Sequence, residues 1–406
     1  MSMRVRYAAA AGLLLVAWTI PDRAPAQDIK VGLMLPYTGV AAEIGQQNDR
    51  GIELYMKLNP DKLKPYNFKI IKRDEKDASG AHAKNVIQEL ITQDKVDILL
   101  GWMYSPNAIA TATLVTAGKV PGIITNAATA HITNLSPNYV RVSGSMWHPA
   151  YSIGIAAVTQ LGARTAVIGY SDFPPGKDSL NAFKMAFEAN GGRVLDEIPM
   201  GGANAVPDMT PFFQRAKDRK PDVFFVFVPS GAHSTAVVKT YAALGMKESG
   251  IKLIGTGDIT QDNKLQAMGD AAVGIVTMQH YNSDLDNPLN RRFVEAWKTE
   301  YGANEIPDFV AVAGYDGMAA VAHVATALQG KITADGAIAA LKGWKHESPR
   351  GPISIDPETR DVVMTQYLSE IVKKDGRLAF KPLGKIDAVK DPCKMVKFGP
   401  CADVPR

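Results

Sequence analysis

The residues best suited to chemistry lie in loops that directly follow short apolar segments. Three such loops occupy residues 36–39, 101–107 and 125–129. Each loop leads into a helix-period stretch, and the free N–H groups at a helix start can hold an anion. Ser105, Asn107 and Thr129 are therefore candidates for binding a carboxylate. Capping of the helices that follow is the alternative role for these side chains, and the sequence leaves both roles open.

Catalytic and cofactor-binding patterns are missing from the sequence. The seven histidines are scattered, with no His-Glu-x-x-His motif that would hold a metal ion. Gly176-Lys177 is followed by Asp178 and lacks a phosphate-binding Gly-rich loop, and no Gly-x-Ser-x-Gly nucleophile elbow occurs. Charges of both signs are interspersed around a formal net charge of +4, which argues against nucleic-acid binding. We predict no catalytic residue, no metal and no cofactor.

Short apolar runs that are typical of buried strands alternate with helix-period stretches along most of the chain. The strand-like runs are residues 68–71, 96–100, 122–124, 166–168, 223–228, 252–254 and 273–278. Amphipathic spacing predicts a helix over 79–93, with Ser79 as its N-cap, and a second over 179–190 that ends at Gly191-Gly192. This alternation predicts an α/β fold whose parallel sheets are covered on both faces.

A single parallel sheet of this width would be unusual, so we predict two doubly wound lobes. Turn residues mark three junctions between them, at 139–148, 279–286 and 351–360. Ligands of doubly wound sheets bind beyond the carboxyl ends of the strands, so two facing lobes would form one cleft. The apolar stretch 310–328 contains Asp316, and we expect a buried helix there and not a membrane span.

The first 26 residues have the features of an export signal. Arg4 and Arg6 precede an apolar run over 7–20, and Ala24-Pro25-Ala26 offers the small side chains at which signal peptidase cleaves. The run is too short to span a bilayer as a mature helix, and no cysteine follows the cleavage site. We predict cleavage after Ala26 and a free periplasmic protein, with about 380 residues left for two domains.

Cys393 and Cys401 are the only cysteines, and Pro and Gly residues punctuate the tail around them. An oxidising compartment would let them form a disulfide that closes a short loop. In the chain-entropy treatment such a loop removes roughly 2 to 3 kcal/mol of unfolded-state entropy. We expect the loop to lie outside the core. Zinc binding is the alternative, although no histidine lies near them.

Two motifs and the strand-end loops between them form a pattern in a fixed order. The first is DIKVGLMLPYTGVAAEIG at 28–45, and the second is GPISIDPETR at 351–360. The pattern resembles the Leu/Ile/Val-binding-protein family, the periplasmic type I solute-binding proteins of ABC importers, from residue 28 to about residue 385. The resemblance also implies the three crossovers. The resulting divisions are a signal peptide (1–26), lobe 1 (28–148 plus 281–353), lobe 2 (149–280 plus 354–385) and a C-terminal tail (386–406).

The resemblance implies a ligand site in the cleft. Carried over residue by residue, it makes Ser105 a hydroxyl that binds a carboxylate, with the backbone of Met103, Ala127 and Ala128 completing the anion site. The other residues predicted to line the pocket are Ile44, Tyr104, Asn126, Phe173, Ser230, Asp258 and Tyr281.

Two features bear on the ligand class. Amino-acid binders of the family carry a Glu that pairs with the ligand ammonium, whereas here Gly257 stands at the best-matched position and Asp258 follows it. Four aromatic residues fall in loops that should face the cleft and suit a planar ligand: Trp102, Tyr104, Phe173 and Tyr281. Trp102 and Tyr104 are two residues apart, so one of them is expected to point into the domain.

The residues and the resemblance together predict a monomeric periplasmic receptor that binds a small aromatic carboxylate by hinge closure. It would deliver the ligand to an inner-membrane ABC permease with its ATPase. A branched-chain amino acid or amide receptor is the first alternative. A periplasmic enzyme on a similar fold is the second, although no motif supports it.

Overall fold

The computed structural model describes Met1, Met3 and residues 27–403, so the predicted cleavage site at Ala26 lies outside the described residues. The strands are β1 (Asp28–Leu35), β2 (Asn67–Asp74), β3 (Ile98–Gly101), β4 (Gly122–Ile124), β5 (Tyr139–Arg141), β6 (Thr165–Tyr170), β7 (Arg193–Pro199), β8 (Val223–Phe227), β9 (Lys252–Thr256), β10 (Val276–Gln279), β11 (Lys345–Ser348), β12 (Gly351–Ile355), β13 (Val362–Lys374) and β14 (Arg377–Val389). The helices are α1 (Ala42–Leu58), α2 (Pro60–Leu63), α3 (Gly80–Thr92), α4 (Ser105–Gly118), α5 (Trp147–Thr159), α6 (Pro174–Ala189), α7 (Thr210–Asp218), α8 (Ala232–Ala243), α9 (Asp262–Met268), α10 (Pro288–Tyr301), α11 (Phe309–Ala327), α12 (Ala334–Leu341) and α13 (Pro392–Met395).

The first sheet is parallel throughout and has the strand order β2-β1-β3-β4-β5. The inner strands β3 and β4 are apolar throughout because helices cover both faces, whereas the edge strand β2 also carries lysine, arginine and aspartate side chains. Val31 and Leu33 of β1 pack with residues of α1 and α11 in one core, whereas Met34 packs with α3 and α4 in another. Helix α3 begins after Ser79 as predicted, although the Ser79 side chain makes no capping hydrogen bond.

The second sheet contains β7, β6, β8, β9 and β10 as parallel neighbours, followed by β13, which is antiparallel to β10. β14 pairs antiparallel with β13, and β11 and β12 extend the other end of β13. This antiparallel edge was missed by the prediction of purely parallel sheets. Its signal is the two-residue loop Asp375-Gly376, where both φ angles are positive, at 51° and 79°. Asp-Gly is a preferred pair for such a hairpin turn.

The chain passes between the two lobes three times, at 142–146, 280–287 and 356–361, because α10, α11, α12 and β12 pack in the core beside β1, although β12 also pairs with β13. These segments overlap the three predicted junctions, and the prediction of an α/β fold with two lobes and three crossovers is confirmed. β14 continues to Val389, so the second sheet extends beyond residue 385, where the sequence placed the start of the tail.

Helix α11 is, within the described residues, the one helix long and apolar enough to cross a membrane, and most of it is buried inside the protein. It packs along α1, and its Asp316 carboxylate lies 2.7 Å from the Arg350 guanidinium. The charge inside the apolar stretch therefore has an internal partner, as expected for a core helix.

The tail after β14 is part of the core of the second lobe. Cys393 and Cys401 form a disulfide, and both are 2% exposed within a hydrophobic cluster that includes Trp147. The expectation that this loop lies outside the core is therefore wrong. The buried carboxylate of Asp391 lies 3.3 Å from the guanidinium of Arg141, which precedes the first crossover. Packing and this ion pair together anchor the tail beside the lobe junction.

Candidate functional site

A cleft between the two lobes opens at the carboxyl ends of strands from both sheets, and the space between its walls, including its opening to solvent, is about 900 Å³. The lobe 1 wall comes from segments after β1, β3, β4 and β5, and the lobe 2 wall from segments after β6, β8 and β9. The predicted site residues that line the cleft are Ile44, Met103, Tyr104, Ser105, Asn126, Ala128, Phe173, Ser230 and Asp258. Ala127 and Tyr281 do not line it.

Ser105 and Ala128 supply free hydrogen-bond donors on the lobe 1 side. The Ser105 oxygen accepts the N–H of Thr129 at 3.0 Å, which leaves the hydroxyl proton without a recipient within residues 27–403. The N–H of Ala128 likewise donates to no group in this part of the chain. Ser105 is the first residue of α4 and not its N-cap, and neither Asn107 nor Thr129 makes a capping bond. The capping alternative for these three side chains is therefore wrong.

Two of the predicted anion-binding N–H groups are already used inside the protein. The N–H of Met103 donates to the buried carboxylate of Glu75 at 2.8 Å, and the N–H of Ala127 donates to the Trp102 carbonyl at 2.8 Å. The carboxylate of Glu75 also accepts from the Tyr104 N–H, at 3.1 Å, and burial raises its pKa to about 7. The predicted role of these Met103 and Ala127 donors is wrong, because an internal carboxylate and a carbonyl occupy them.

The aromatic residues divide between the cleft and the core. Trp102 is fully buried and donates from Nε1 to Thr111 at 3.0 Å, so it points into the domain while Tyr104 lines the cleft. The Tyr104 hydroxyl is buried and has no partner in the described part of the chain. Tyr281 is 1% exposed and packs edge-on against Phe293, with ring centroids 6.4 Å apart. Its predicted place in the cleft is wrong because its ring is packed in the hydrophobic core of lobe 1.

Asp258 is the carboxylate of the lobe 2 wall. Its two oxygens accept the hydroxyls of Ser230, at 3.0 Å, and Thr256, at 2.7 Å, and burial raises its pKa. The neighbouring Gly257 has no room for a side chain, since a Cβ there would lie 2.5 Å from the Cβ of Gln279. Gln279 therefore fills the space beside the position at which amino-acid binders are expected to carry a Glu.

Several cleft residues were missed by the sequence analysis. They include Val40, Ser143, Phe227, Gln279, His280 and Phe309. Ser143 lies in the first predicted junction, and its buried hydroxyl has no partner within residues 27–403. His280 directly precedes Tyr281, so the side chain that lines the cleft is one residue before the predicted one. The potential metal ligands among the described residues form no cluster that could hold an ion.

The fold and the interlobe cleft define a bilobal binding protein. Residues 28–377 match the periplasmic binding protein family, and the chain belongs to that family. This membership assigns a binding role and a periplasmic location. Residues 28–377 include all three crossovers and every residue that lines the cleft, so the match covers the whole cleft.

The chain is similar to both curated relatives and solved structures. A Leu/Ile/Val-binding protein homolog 6 of Brucella melitensis biotype 1 is 37% identical over 347 residues, covering 86% of this chain and 88% of that protein. A solute-binding protein of an ABC transporter from Rhodopseudomonas palustris BisB5, in complex with 3,4-dihydroxybenzoic acid, is 43% identical, with a TM-score of 0.85 over 90% of this chain and 99% of that one. A corresponding protein from R. palustris HaA2, in complex with p-hydroxybenzoic acid, is 36% identical, with a TM-score of 0.86 over 90% and 98% of the two chains.

Proposed function

We propose that the protein is the periplasmic receptor of an ABC importer for a small aromatic carboxylate of the hydroxybenzoate type. The observation that carries the proposal is the combination of free hydrogen-bond donors and aromatic walls in one cleft. Ser105 and Ala128 offer a hydroxyl and an N–H that no protein group accepts within residues 27–403. A carboxylate is the ligand group that would use both donors.

The walls beside these donors suit a planar ring. Phe173 and Phe227 of lobe 2 stack at 6.1 Å between centroids with 19° between their planes, and Tyr104 and Phe309 line the cleft from lobe 1. Each stacked or edge-on contact with a ligand ring would contribute about 0.5 to 1.5 kcal/mol beyond the area it buries. A flat ligand would therefore be held by both lobes, which favours closure around it.

Asp258 gives the cleft an acceptor on the lobe 2 side. Each of its oxygens accepts one hydroxyl within the protein, which leaves lone pairs for a donor on the ligand. A ring hydroxyl is such a donor. The complexes of the R. palustris proteins with 3,4-dihydroxybenzoic acid and p-hydroxybenzoic acid support a ligand of this type.

A branched-chain amino acid or amide receptor is the second candidate, and Asp258 is also the observation that favours it. Its carboxylate could pair with an ammonium group in place of a ring hydroxyl. The two candidates differ in geometry, because an α-amino acid carries its ammonium and carboxylate on one carbon, whereas a hydroxybenzoate carries its two polar groups on a rigid ring.

A binding panel tests the proposal. Thermal shift and calorimetry are carried out with 4-hydroxybenzoate, 3,4-dihydroxybenzoate, benzoate, leucine, isoleucine and valine, with 4-hydroxybenzyl alcohol as the control without a carboxylate. A cognate ligand at about one hundred times its Kd should stabilise the fold by roughly 2.7 kcal/mol. Stabilisation by the aliphatic amino acids and not by the aromatic acids would overturn the proposal and favour an ammonium partner at Asp258.

The remaining parts of the proposal concern export and delivery. We propose that the leader is removed after Ala26 and that the mature chain functions as a monomer. The ligand-loaded form would dock on an inner-membrane permease with its ATPase. The lobe divisions are proposed as 28–148 plus 281–353 and 149–280 plus 354–385. N-terminal sequencing of the exported protein should begin at Gln27.

A further inference from the structure

The floor of the cleft contains a histidine whose ring is held from behind by a buried arginine. His280 follows β10 and lines the cleft, with 4% of its surface exposed. Arg350, in the turn between β11 and β12, donates from Nη1 to His280 Nδ1 at 3.2 Å. A guanidinium has donors and no acceptor, so Nδ1 accepts and the proton of the neutral ring is on Nε2.

The surroundings keep this ring neutral and oriented. Burial lowers the pKa of His280 well below its ordinary value, and the charge of Arg350 and then that of His148 lower it further. The ring packs edge-on against Phe309 at 5.8 Å between centroids. Nε2 lies on the far side of the ring from Nδ1. It has no hydrogen-bond partner within residues 27–403 and is not fully shielded from solvent. It is therefore open to the cleft.

Arg350 is itself fixed at the lobe junction. Nη2 donates to the carbonyl oxygen of Val142, in the first crossover, at 2.6 Å and lies 2.7 Å from Asp316 of α11. Its contact with His280 reaches the start of the second crossover. Because Arg350 is 1% exposed and paired with a buried carboxylate, it has little freedom to turn away from the imidazole. The direction of the His280 donor is thus set by the junction between the lobes.

We propose that Arg350 holds His280 as an Nε2–H donor and that His280 is a specificity-determining residue, donating to an acceptor oxygen of the bound ligand. This inference deepens the proposed function and rests on it. Carboxylate and phenolic oxygens can accept from Nε2–H, whereas an ammonium or amide N–H at the same place would leave two donors facing each other. The floor of the cleft therefore selects against ligands that present a donor there.

The tautomer is tested in the ligand-free protein, independently of which ligand binds. Long-range proton–nitrogen spectra of histidine-labelled protein are compared with those of His280→Phe, which assigns the His280 signals among the seven histidines. Protonated Nε2 with unprotonated Nδ1 is expected. A protonated Nδ1 at neutral pH would overturn the proposal.

The positioning role of Arg350 is tested by Arg350→Met, which has a similar length but no donor for Nδ1. Signals from both His280 tautomers are expected in this variant. A single unchanged Nε2–H tautomer would refute the role of Arg350. If the variant does not fold, the wild-type spectrum and the binding measurements on His280→Phe still decide the assignment of the donor.

Calorimetry with 4-hydroxybenzoate and benzoate tests whether the donor contacts ligand. His280→Phe should weaken binding roughly 10-fold, the effect of losing one hydrogen bond in a buried site. Equal weakening of both acids would identify the carboxylate as the acceptor, and weakening of 4-hydroxybenzoate alone would identify its hydroxyl oxygen. His323→Phe, whose ring stacks on Trp344 outside the cleft, is the matched control and should bind as the wild type does.

Unchanged affinity of His280→Phe for both acids would overturn the specificity role. A wild-type protein that binds neither acid would refute the proposed function instead, and with it the assignment of a ligand oxygen to His280. The spectra would still report whether Arg350 fixes the tautomer, so the two failures can be told apart.

Discussion

Replacement of Ser105 by alanine separates ligand binding from helix stabilisation. The Ser105 oxygen accepts the Thr129 N–H at 3.0 Å, and its proton is free to be donated to a ligand. Ser105→Ala removes both interactions. A hydrogen bond to a charged group contributes about 1.5 to 3 kcal/mol, so Kd for 4-hydroxybenzoate should rise roughly 10-fold to 150-fold.

The same change affects the ligand-free protein by a different route. The N–H of Thr129 loses its acceptor in a buried setting, which costs about 1 to 3 kcal/mol of unfolding free energy. Urea unfolding of the ligand-free protein measures this cost, and calorimetry on the folded variant measures the change in Kd. The variant should remain folded, because the loss is small against the stability of a large two-lobed protein.

Thr116→Val is the matched control. Thr116 lies on the same helix, α4, and its hydroxyl donates to the Ala112 carbonyl at 2.9 Å, outside the cleft. This variant should lose stability but retain affinity. An unchanged Kd in Ser105→Ala, or an equal loss of affinity in Thr116→Val, would refute a direct contact between the Ser105 hydroxyl and the ligand.

Three further predictions concern pH, the tail and closure. Burial raises the pKa of Glu75 from 4.5 to about 7, so the folded state retains a proton that the unfolded state releases, and stability falls as pH rises through this window. The share of Glu75 in this fall is about 3 kcal/mol, at about 1.4 kcal/mol per pH unit, so Glu75→Gln should lose that much less stability than the wild type in urea titrations, while burial of Asp178 and Asp308 still raises their pKa values in both proteins. A constant difference between the two proteins across this pH range would refute the assignment. Replacing Cys393 and Cys401 together by serine should lower the unfolding free energy by roughly 2 to 3 kcal/mol, and an unchanged urea midpoint would contradict this. Saturating ligand should reduce the radius of gyration in small-angle scattering if the three crossovers act as hinges, whereas an equal radius from an open ligand-free form would count against closure.

The sequence determined the fold because its signals are local and periodic. The apolar runs that became β3, β4, β8 and β9 bury both faces, and that pattern alone predicts parallel sheets beneath helices. Turn residues are also local signals, and they marked the three crossovers. The antiparallel β13–β14 edge was missed even though Asp375-Gly376 is a local turn signal, because the strands on either side were not recognised.

The strand-end loops that line the cleft could also be predicted from the sequence, because the carboxyl ends of parallel strands lie together at one edge of the sheet. Which atoms remain free within those loops was decided by tertiary contacts. Glu75, distant in sequence, occupies the Met103 N–H, and the Trp102 carbonyl occupies that of Ala127.

The same distinction applies to the floor of the cleft. His280 and Tyr281 are equally plausible from sequence, but only the three-dimensional path of the chain turns one ring to the cleft and the other into the core. The tautomer of His280 depends on Arg350, which is 70 residues away in the chain. Local patterns thus determined the elements and the position of the site, whereas long-range hydrogen bonds decided which donors and acceptors the site presents. The physical reason is that a buried polar group must pair wherever a partner lies in space, and sequence order does not reveal that distance.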